Sequence, residues 1–247
     1  MKKKTLLTRR EALITSVTAI GGLLLGGCTK PLPPTYGNLL RMGDNLTYIA
    51  HRALLPGQSL AKEYSLSDIS SFPATGTVNP ADSSKPTYNE NYEKLMKTGF
   101  SDWRINVEGS VSNPQSFSLA ELMKLPSRTQ ITRHTCEEGW TAIGQWTGVP
   151  LGHILQIAGI KPSARFVNFF SYDGYTESID LLDAFHPQTL LAYGMNGKQL
   201  TIPHGAPLRL RLEKQIGYKS LKYIEKIVVS DEFMDFGDSG WAWYVGI

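Results

Sequence analysis

Cys136 is the residue of this chain whose chemistry depends most on its surroundings, because it has no evident partner. It lies in the sequence RHTCEEGW, residues 133–140. The chain has two cysteines, and the other, Cys28, closes an N-terminal segment of the export type. The exported protein would therefore keep one unpaired thiol in a compartment that permits disulfides. Such a thiol is buried and inert, a nucleophile or a metal ligand.

The neighbours of Cys136 favour one of these alternatives. Glu137 and Glu138 follow it directly, and two carboxylates disfavour a thiolate unless a cation offsets their charge. A nucleophilic cysteine would need His134 or His153 as its base, together with a third group that orients the histidine. The sequence offers no convincing third group, and we expect His153 to pack on a helix flank. Because soft thiolates suit soft metal centres, the pattern favours a ligated thiol.

The N-terminus predicts export of a folded protein to the periplasm. An Arg9-Arg10 pair precedes an apolar stretch, residues 17–27, that is short and broken by glycines. Such a stretch is poorly suited to span a membrane, and the paired arginines are the twin-arginine signature. An ordinary secretory signal is the alternative. The sequence LGGC ending at Cys28 resembles a lipobox, which predicts a lipid anchor there; simple cleavage nearby is the alternative.

Most of the positive charge lies in this export signal. The whole chain carries a formal charge of +3, and residues 1–27 hold five basic residues and one acidic residue, so the remainder carries about −1. No stripe of lysine and arginine interleaved with aromatic residues occurs in it. We therefore expect no nucleic-acid partner.

Strands dominate the part of the chain that would position the site. We expect a tether and a proline-rich surface arm over residues 28–85, and one folded domain over residues 86–247. Alternating polarity predicts strands, and apolar spacing predicts helices. The predicted strands include residues 103–109, 128–136, 166–170, 207–212 and 226–230, and the clearest predicted helix is residues 150–158. These elements predict the α+β class with mixed sheets.

Three local patterns refine this prediction. Ser118 and Glu121 have the spacing of a capping box at a helix start. Asn196-Gly197 is a hairpin turn sequence. In a strand, His134 and Cys136 would point to the same side, because side chains alternate.

Four sequence motifs then carry a resemblance to a known family. They are RHTCEEGW at 133–140, WTGVPL at 146–151, HGAPLR at 204–209 and GYKSLK at 217–222. In this order they resemble the molybdopterin-binding domain of the sulfite oxidase family, above all its branch of bacterial periplasmic protein-methionine-sulfoxide reductase catalytic subunits. GWAWY at 240–244 adds to the likeness. The resemblance covers roughly residues 86–247 and implies a sulfite oxidase-type fold of mixed β-sheets with short helices.

The resemblance also implies roles for individual residues. Cys136 would ligate molybdenum, because molybdopterin supplies two dithiolene sulfurs and leaves one for the protein. Asn89 would approach the open side of the metal as a second catalytic residue. Arg209 and Lys222 would hold the cofactor's phosphate, since a buried anion needs fixed cations. The implied cofactor-binding set is Asn89, Tyr92, Glu93, Cys136, Ser171, His204, Arg209, Ser220, Leu221 and Lys222.

The activity that the resemblance implies is two-electron oxygen-atom transfer, with sulfoxide or N-oxide reduction first and sulfite oxidation by a haem-free subunit as the alternative. His204 stands where the reductase branch carries asparagine, which leaves the substrate open. It would be a small or protein-bound compound of oxidised sulfur. The chain has neither a haem motif nor the cysteines of an iron–sulfur cluster, so electrons would come from a membrane haem subunit or a cytochrome.

We expect a monomer whose only membrane association is a lipid on Cys28. Two other classes of function remain open from the residues alone. One is a thiol hydrolase that uses Cys136 with His134 or His153. The other is a surface lipoprotein that binds a ligand without catalysis.

Overall fold

The computed structural model describes residues 59–231, together with the isolated positions Leu46, Ala50 and Leu54. Almost all of these belong to one compact unit, residues 50–247; Leu46 alone belongs to the other unit, residues 1–49, and it is exposed. The predicted export signal, Cys28 and the GWAWY sequence at 240–244 lie outside the described residues. Within the described part of the chain, no helix combines the length and apolarity needed to cross a membrane.

Ten short strands, four short α-helices and three single-turn 3₁₀ helices (Leu66–Asp68, Ile202–His204 and Gly217–Lys219) make up the regular structure of residues 59–231. The helices are α1 (Glu90–Lys97), α2 (Leu119–Leu122), α3 (Leu151–Ala158) and α4 (Leu181–Ala184). The strands are β1 (Arg104–Gly109), β2 (Gln115–Ser118), β3 (Arg128–Thr135), β4 (Thr141–Pro150), β5 (Phe166–Ser171), β6 (Thr176–Asp180), β7 (Leu190–Met195), β8 (Lys198–Gln199), β9 (Arg209–Arg211) and β10 (Ile224–Ser230).

The strands form two five-stranded sheets. The first has the order β2-β1-β10-β5-β6, and its β1–β10 pair is parallel while its other pairs are antiparallel. The second has the order β3-β4-β7-β8, with β9 also pairing with β7, and all its pairs are antiparallel. A mixed sheet, an antiparallel sheet and few helices confirm the predicted α+β class.

The local sequence patterns have the expected structural outcomes. Ser118 and Glu121 form the capping box at the start of α2, with each side chain bonded to the other's backbone N–H. Asn196 and Gly197 form the turn between β7 and β8, both with positive φ, 50° and 74°. The strand predicted for residues 128–136 is β3, which ends one residue before Cys136.

The main core contains the inward side chains of the first sheet and the apolar face of α3. It includes the fully buried Trp103 and Phe169. A smaller core cluster surrounds Trp146 of β4, which is 0% exposed, and the partly buried Phe72 packs against it. This smaller cluster matters for function, because Trp146 lies beneath two buried arginines of β9.

Candidate active site

A cavity of about 570 Å³ brings five separate chain segments and the single residue Thr87 together. Six of the ten residues predicted for the site line it: Cys136, His204, Arg209, Ser220, Leu221 and Lys222. The segments lie at residues 72–77, 134–140, 173–175, 203–209 and 217–222. Residues more than 80 positions apart in the sequence therefore meet around one space. The four predicted residues that do not line it are described below.

Cys136 lies on the wall of this cavity in a tight turn after β3. Its N–H donates to Trp140 O at 2.9 Å, and its carbonyl accepts from Gly139 N at 3.1 Å. The residue is 6% exposed, and Sγ lies 3.6 Å from Glu137 Oε2. Burial, together with the carboxylates of Glu137 and Glu138, raises the pKa of the thiol. A protonated thiol is a poor nucleophile, whereas a bound cation would make it ionise.

His134, also on the wall, is arranged differently from the histidine of a cysteine hydrolase. Its Nδ1 lies 2.8 Å from Arg211 Nη1, which can only donate. Burial and the charges of Arg211 and Arg209 lower the His134 pKa to about 2. A catalytic base of the triad type is oriented by a carboxylate, which favours its protonated form. A cation in that position disfavours the protonated form of His134. The Cys136 thiol, moreover, bonds to Glu137 rather than to His134.

Arg209 is the most unusual charge in the cavity. Its Nη1 donates to His204 O and its Nη2 to Ser220 O, both at 3.0 Å, while its buried Nε has no partner. No carboxylate among the described residues forms an ion pair with it. Burial and the neighbouring Arg211 lower the pKa of Arg209 to about 9. A fully buried guanidinium without an anion is costly unless something else supplies the negative charge.

Lys222 adds a second cation, whose hydrogen bonds among the described residues all go to backbone carbonyls. Its Nζ donates to Thr75 O at 2.8 Å, to Pro203 O at 3.2 Å and, at closer range, to Thr77 O. Burial, together with the charge of Arg209, lowers the pKa of Lys222 to about 8. The cavity thus has two cations, neither of which forms a salt bridge with a carboxylate of the described residues.

His204 is held as a neutral ring on the same wall. Its Nε2 lies 3.1 Å from Phe72 O, which can only accept, so this nitrogen carries the proton. Its Nδ1, 3.2 Å from Thr201 Oγ1, then accepts from the hydroxyl. Burial lowers the pKa of His204, in keeping with a neutral ring. The Nε2–H group of His204 therefore helps to hold the backbone of Phe72 in place.

Two glycines let the backbone approach the site closely. A Cβ on Gly217 would lie 2.6 Å from His134 Nε2 and 3.1 Å from Glu137 Oε2. Gly205 has φ +101°, and a Cβ there would lie 3.0 Å from the Lys222 side chain. Any larger residue would displace the groups that line the cavity.

The four remaining predicted residues do not line the cavity. Asn89 is the N-cap of α1, and its Oδ1 accepts from Tyr92 N at 3.0 Å. Glu93 bonds to Tyr88 Oη at 2.7 Å and to Lys97 at 2.6 Å. These contacts stabilise the helix, so α1 forms part of the framework that supports the cavity.

Tyr92 and Ser171 lie closer to the cavity wall without lining it. The buried Tyr92 hydroxyl donates to Ala206 O at 2.6 Å, within the HGAPLR motif. Ser171 Oγ lies within hydrogen-bonding distance of the Asp173 carboxylate and 2.8 Å from Tyr175 O. Ser171 thereby helps to position Asp173 and Tyr175, which line the cavity, and Tyr92 holds Ala206, which lies between the lining residues His204 and Arg209.

The largest group that sequence reasoning missed lies upstream, in the proline-rich segment. Phe72 packs against His134, Trp140 and Trp146 with ring centroids 5.2–5.7 Å apart. Thr75 and Thr77 contribute carbonyl oxygens, which no side-chain pattern reveals. The other missed lining residues include Trp140, Asp173, Tyr175 and Tyr218. Within the described residues, no group of three or more histidine, cysteine and acidic side chains could hold a metal by itself.

Comparison with known proteins places these observations in a family. A family model described as the oxidoreductase molybdopterin binding domain matches residues 93–235. A solved structure, the sulfane dehydrogenase SoxCD of Paracoccus pantotrophus, aligns with TM-score 0.51 and 22% identity over 53% of this chain and 39% of that chain. At that identity, the likeness supports the fold alone.

Two relatives in other bacteria are similar to the same region. A provisionally named protein-methionine-sulfoxide reductase subunit, YedZ1 of Azospira oryzae, is 37% identical over 156 residues, which is 62% of this chain and 60% of the relative. The protein-methionine-sulfoxide reductase catalytic subunit MsrP of Xanthomonas axonopodis pv. citri is 36% identical over 167 residues, 57% of this chain and 52% of the relative. The chain therefore spans between half and two thirds of the length of these relatives. Because the family model matches more than half of it, the chain belongs to the family of oxidoreductase molybdopterin-binding domains.

Proposed function

We propose that this protein is a molybdenum–molybdopterin oxidoreductase that reduces sulfoxides by two-electron oxygen-atom transfer. Membership of the family supports the cofactor. The names of the two relatives, both described as protein-methionine-sulfoxide reductase subunits, support a sulfoxide as the substrate over sulfite, the alternative. The reaction converts a sulfoxide, two electrons and two protons into a thioether and water, and an external donor supplies the electrons.

Arg209 is the observation that carries the proposal. Its guanidinium is fully buried, its Nε has no partner, and no described carboxylate pairs with it. Molybdopterin carries a phosphate, and arginine binds phosphate with several donors at once. Lys222 would add a second positive charge beside Arg209. A phosphate close to its Nζ would compete with the three carbonyl oxygens to which Nζ donates. The chemistry and burial of these residues fit the anionic end of the cofactor.

Cys136 is our proposed molybdenum ligand. The thiol is buried beside Glu137 and Glu138, where it would stay protonated without a cation, and metal binding would reverse that preference. When bound, the cofactor would supply a metal whose change of oxidation state allows transfer of the oxygen atom from the substrate and its release as water. The chain itself would hold the metal at Sγ and keep bulk water away with Phe72 and Trp140.

The sequence also supports a proposal for the cellular location of the enzyme and for its electron donor. We propose export by the twin-arginine route to the periplasm, with residues 1–27 as the signal, residues 28–85 as a tether and an arm whose residues 72–77 reach the cavity wall, and residues 86–247 as the main part of the cofactor domain. A lipid on Cys28 would hold the protein at the membrane. A membrane haem subunit or a cytochrome would supply electrons to a monomeric catalytic subunit.

Analysis of metal and thiol content tests the proposal directly. Protein produced with its signal intact should contain about one molybdenum per chain and show no titratable thiol at Cys136. Cys136→Ser should lower turnover of methionine sulfoxide by more than about 100-fold while the pterin content stays near normal, because the phosphate contacts remain. Absence of molybdenum together with a titratable Cys136 would refute the assignment. Assays with sulfite and an electron acceptor decide between the two directions.

A further inference from the structure

His134 is buried beside Cys136, yet the proposed cofactor contacts make no use of it. It is 8% exposed, and its ring packs between Phe72 and Trp140 with centroids 5.2 Å and 5.4 Å away. A buried polar ring normally uses both of its nitrogens in hydrogen bonds. His134 uses one with a protein group, so the function of the other needs an explanation.

A buried ion pair fixes which nitrogen of His134 carries the proton. Arg211 bonds to Glu213 through Nε at 3.2 Å and through Nη2 at 2.8 Å, and its Nη1 points to His134 Nδ1. Gln130 Nε2 donates to Glu213 Oε1 at 3.0 Å, and the Arg211 guanidinium lies 4.3 Å above the Trp146 ring. Because Arg211 can only donate, Nδ1 must accept, and the proton of the neutral ring lies on Nε2.

His134 Nε2 lies on the wall of the cavity that Cys136 and Glu137 also line. A Cβ added to Gly217 would lie 2.6 Å from His134 Nε2 and 3.1 Å from Glu137 Oε2, so only a glycine at 217 leaves Nε2 and that carboxylate oxygen unobstructed. The Cys136 thiol lies 3.6 Å from that glutamate oxygen. No acceptor for Nε2–H is found among residues 59–231. The second described histidine of the cavity, His204, differs in this respect, because its Nε2–H is taken by Phe72 O.

We propose that His134 is a fixed, neutral hydrogen-bond donor that positions the oxygen of the substrate beside Cys136. The assignment of that oxygen to a sulfoxide rests on the proposed function. A sulfoxide oxygen accepts hydrogen bonds and cannot donate them, so a donor held in one tautomer suits it. Arg211 occupies Nδ1, which keeps the ring from rotating or from exchanging its tautomer. His134 is thus a specificity residue that the Arg211–Glu213 pair keeps in place.

A pair of substitutions at position 134 separates the donor from the packing. His134→Phe keeps an aromatic ring against Phe72 and Trp140 but removes the N–H, whereas His134→Gln keeps an N–H at a similar reach. We expect His134→Phe to raise KM for methionine sulfoxide at least about tenfold, and His134→Gln to recover most of that loss. Molybdenum and pterin content should match the wild-type protein in both. Equal KM values in wild type and His134→Phe would overturn the proposal.

Nitrogen NMR of the histidine-labelled, oxidised holoprotein gives a readout that does not depend on turnover. The resonances of His134, assigned by their loss in His134→Phe, should show the Nε2–H tautomer. Methionine sulfoxide should shift them and leave those of His204 nearly unchanged. Arg211→Met combined with Glu213→Met removes both charges together and should let His134 populate the Nδ1–H tautomer as well.

The two arms also distinguish failure of this proposal from failure of the proposed function. If the wild-type protein does not reduce sulfoxides but added sulfite shifts the His134 resonances, the function is wrong and the donor role stands. If neither methionine sulfoxide nor sulfite shifts them in loaded protein, or if the ring proton is on Nδ1, the donor role is wrong whatever the activity.

Discussion

Two arginines on one short strand, Arg209 and Arg211, differ in how their charge is balanced, and of the two only Arg209 lines the cavity. Both are buried, and both lie over Trp146, at 5.0 Å and 4.3 Å. Arg211 has a carboxylate, Glu213, and all three of its nitrogens are bonded. Arg209 has two carbonyls and an unpartnered Nε. We call the first the paired wall and the second the open wall.

The difference teaches that burial of a charge alone does not identify a binding site. The paired wall has its counter-charge within the chain, and we propose that it holds His134. The open wall, which includes Lys222, has no salt bridge to a described carboxylate, and we propose that an anion completes it. On this proposal, a salt bridge to a carboxylate separates a structural arginine from a ligand-binding one in this protein.

The largest effect on stability should come from breaking the paired wall. In protein made without molybdopterin, Arg211→Met leaves Glu213 buried and unpaired, which should lower the free energy of unfolding by about 3–5 kcal/mol. Adding Glu213→Met should recover most of that loss, because no lone charge remains. Urea unfolding of the two variants measures both values. Additive losses would show that the two side chains do not act as a pair.

The next largest effect should be a pH dependence of stability that originates in the open wall. The Lys222 pKa is about 8 in the folded protein against 10.5 as its ordinary value. Between these values the unfolded chain binds the extra proton, so stability of the cofactor-free protein should rise with pH from about pH 8, by up to about 1 kcal/mol per unit. Urea unfolding at several pH values should show this slope, and Lys222→Met should reduce it. An unchanged slope in the variant would remove Lys222 as its source.

Helix α1, which precedes the sheets and belongs to neither wall, should contribute to stability but not to cofactor binding. Asn89→Ala removes the N-cap of α1 and should cost about 1 kcal/mol of stability, with Asn89→Asp as a matched control that keeps the cap. Cofactor content should stay unchanged in both. Loss of molybdenum in Asn89→Ala at unchanged stability would instead support the catalytic role that the resemblance implies for Asn89.

The smallest stability effect should come from Arg209, although it is as deeply buried as Arg211. Arg209→Met removes two hydrogen bonds to carbonyls but also the cost of an unpaired charge, so we expect a change under about 1 kcal/mol in cofactor-free protein. Thermal or urea unfolding beside Arg211→Met tests the contrast. Equal losses in the two variants would abolish the distinction between the walls.

Much of the fold and part of the site could be predicted from the sequence. Alternation in β3 predicted that His134 and Cys136 share a side, and both line the cavity, because strand geometry extends across the start of the turn. The motif around Arg209 predicted a lining residue. These successes depend on local patterns, which the tertiary structure preserves.

The rest could not be predicted, because it depends on contacts between distant segments. The Arg211–Glu213 pair is local, but the sequence does not show that Gln130 and His134, about 80 residues away, complete its surroundings. Nor does it show that Arg209 meets only carbonyl oxygens. The carbonyls of Thr75 and Thr77 have no side-chain signature, and they reach Lys222 from almost 150 residues away. The capping function of Asn89 was hidden by its likeness to a cofactor-binding segment.

The measurement that tests the central claim most directly is the cofactor content of Arg209→Met, made with its signal intact, against that of wild type. Molybdenum and pterin are both measured per folded chain. Our account predicts about one of each in the wild-type protein and a loss of most of both in the variant, at nearly unchanged stability. Full occupancy in Arg209→Met would contradict the account, because the open wall would then hold no part of the cofactor.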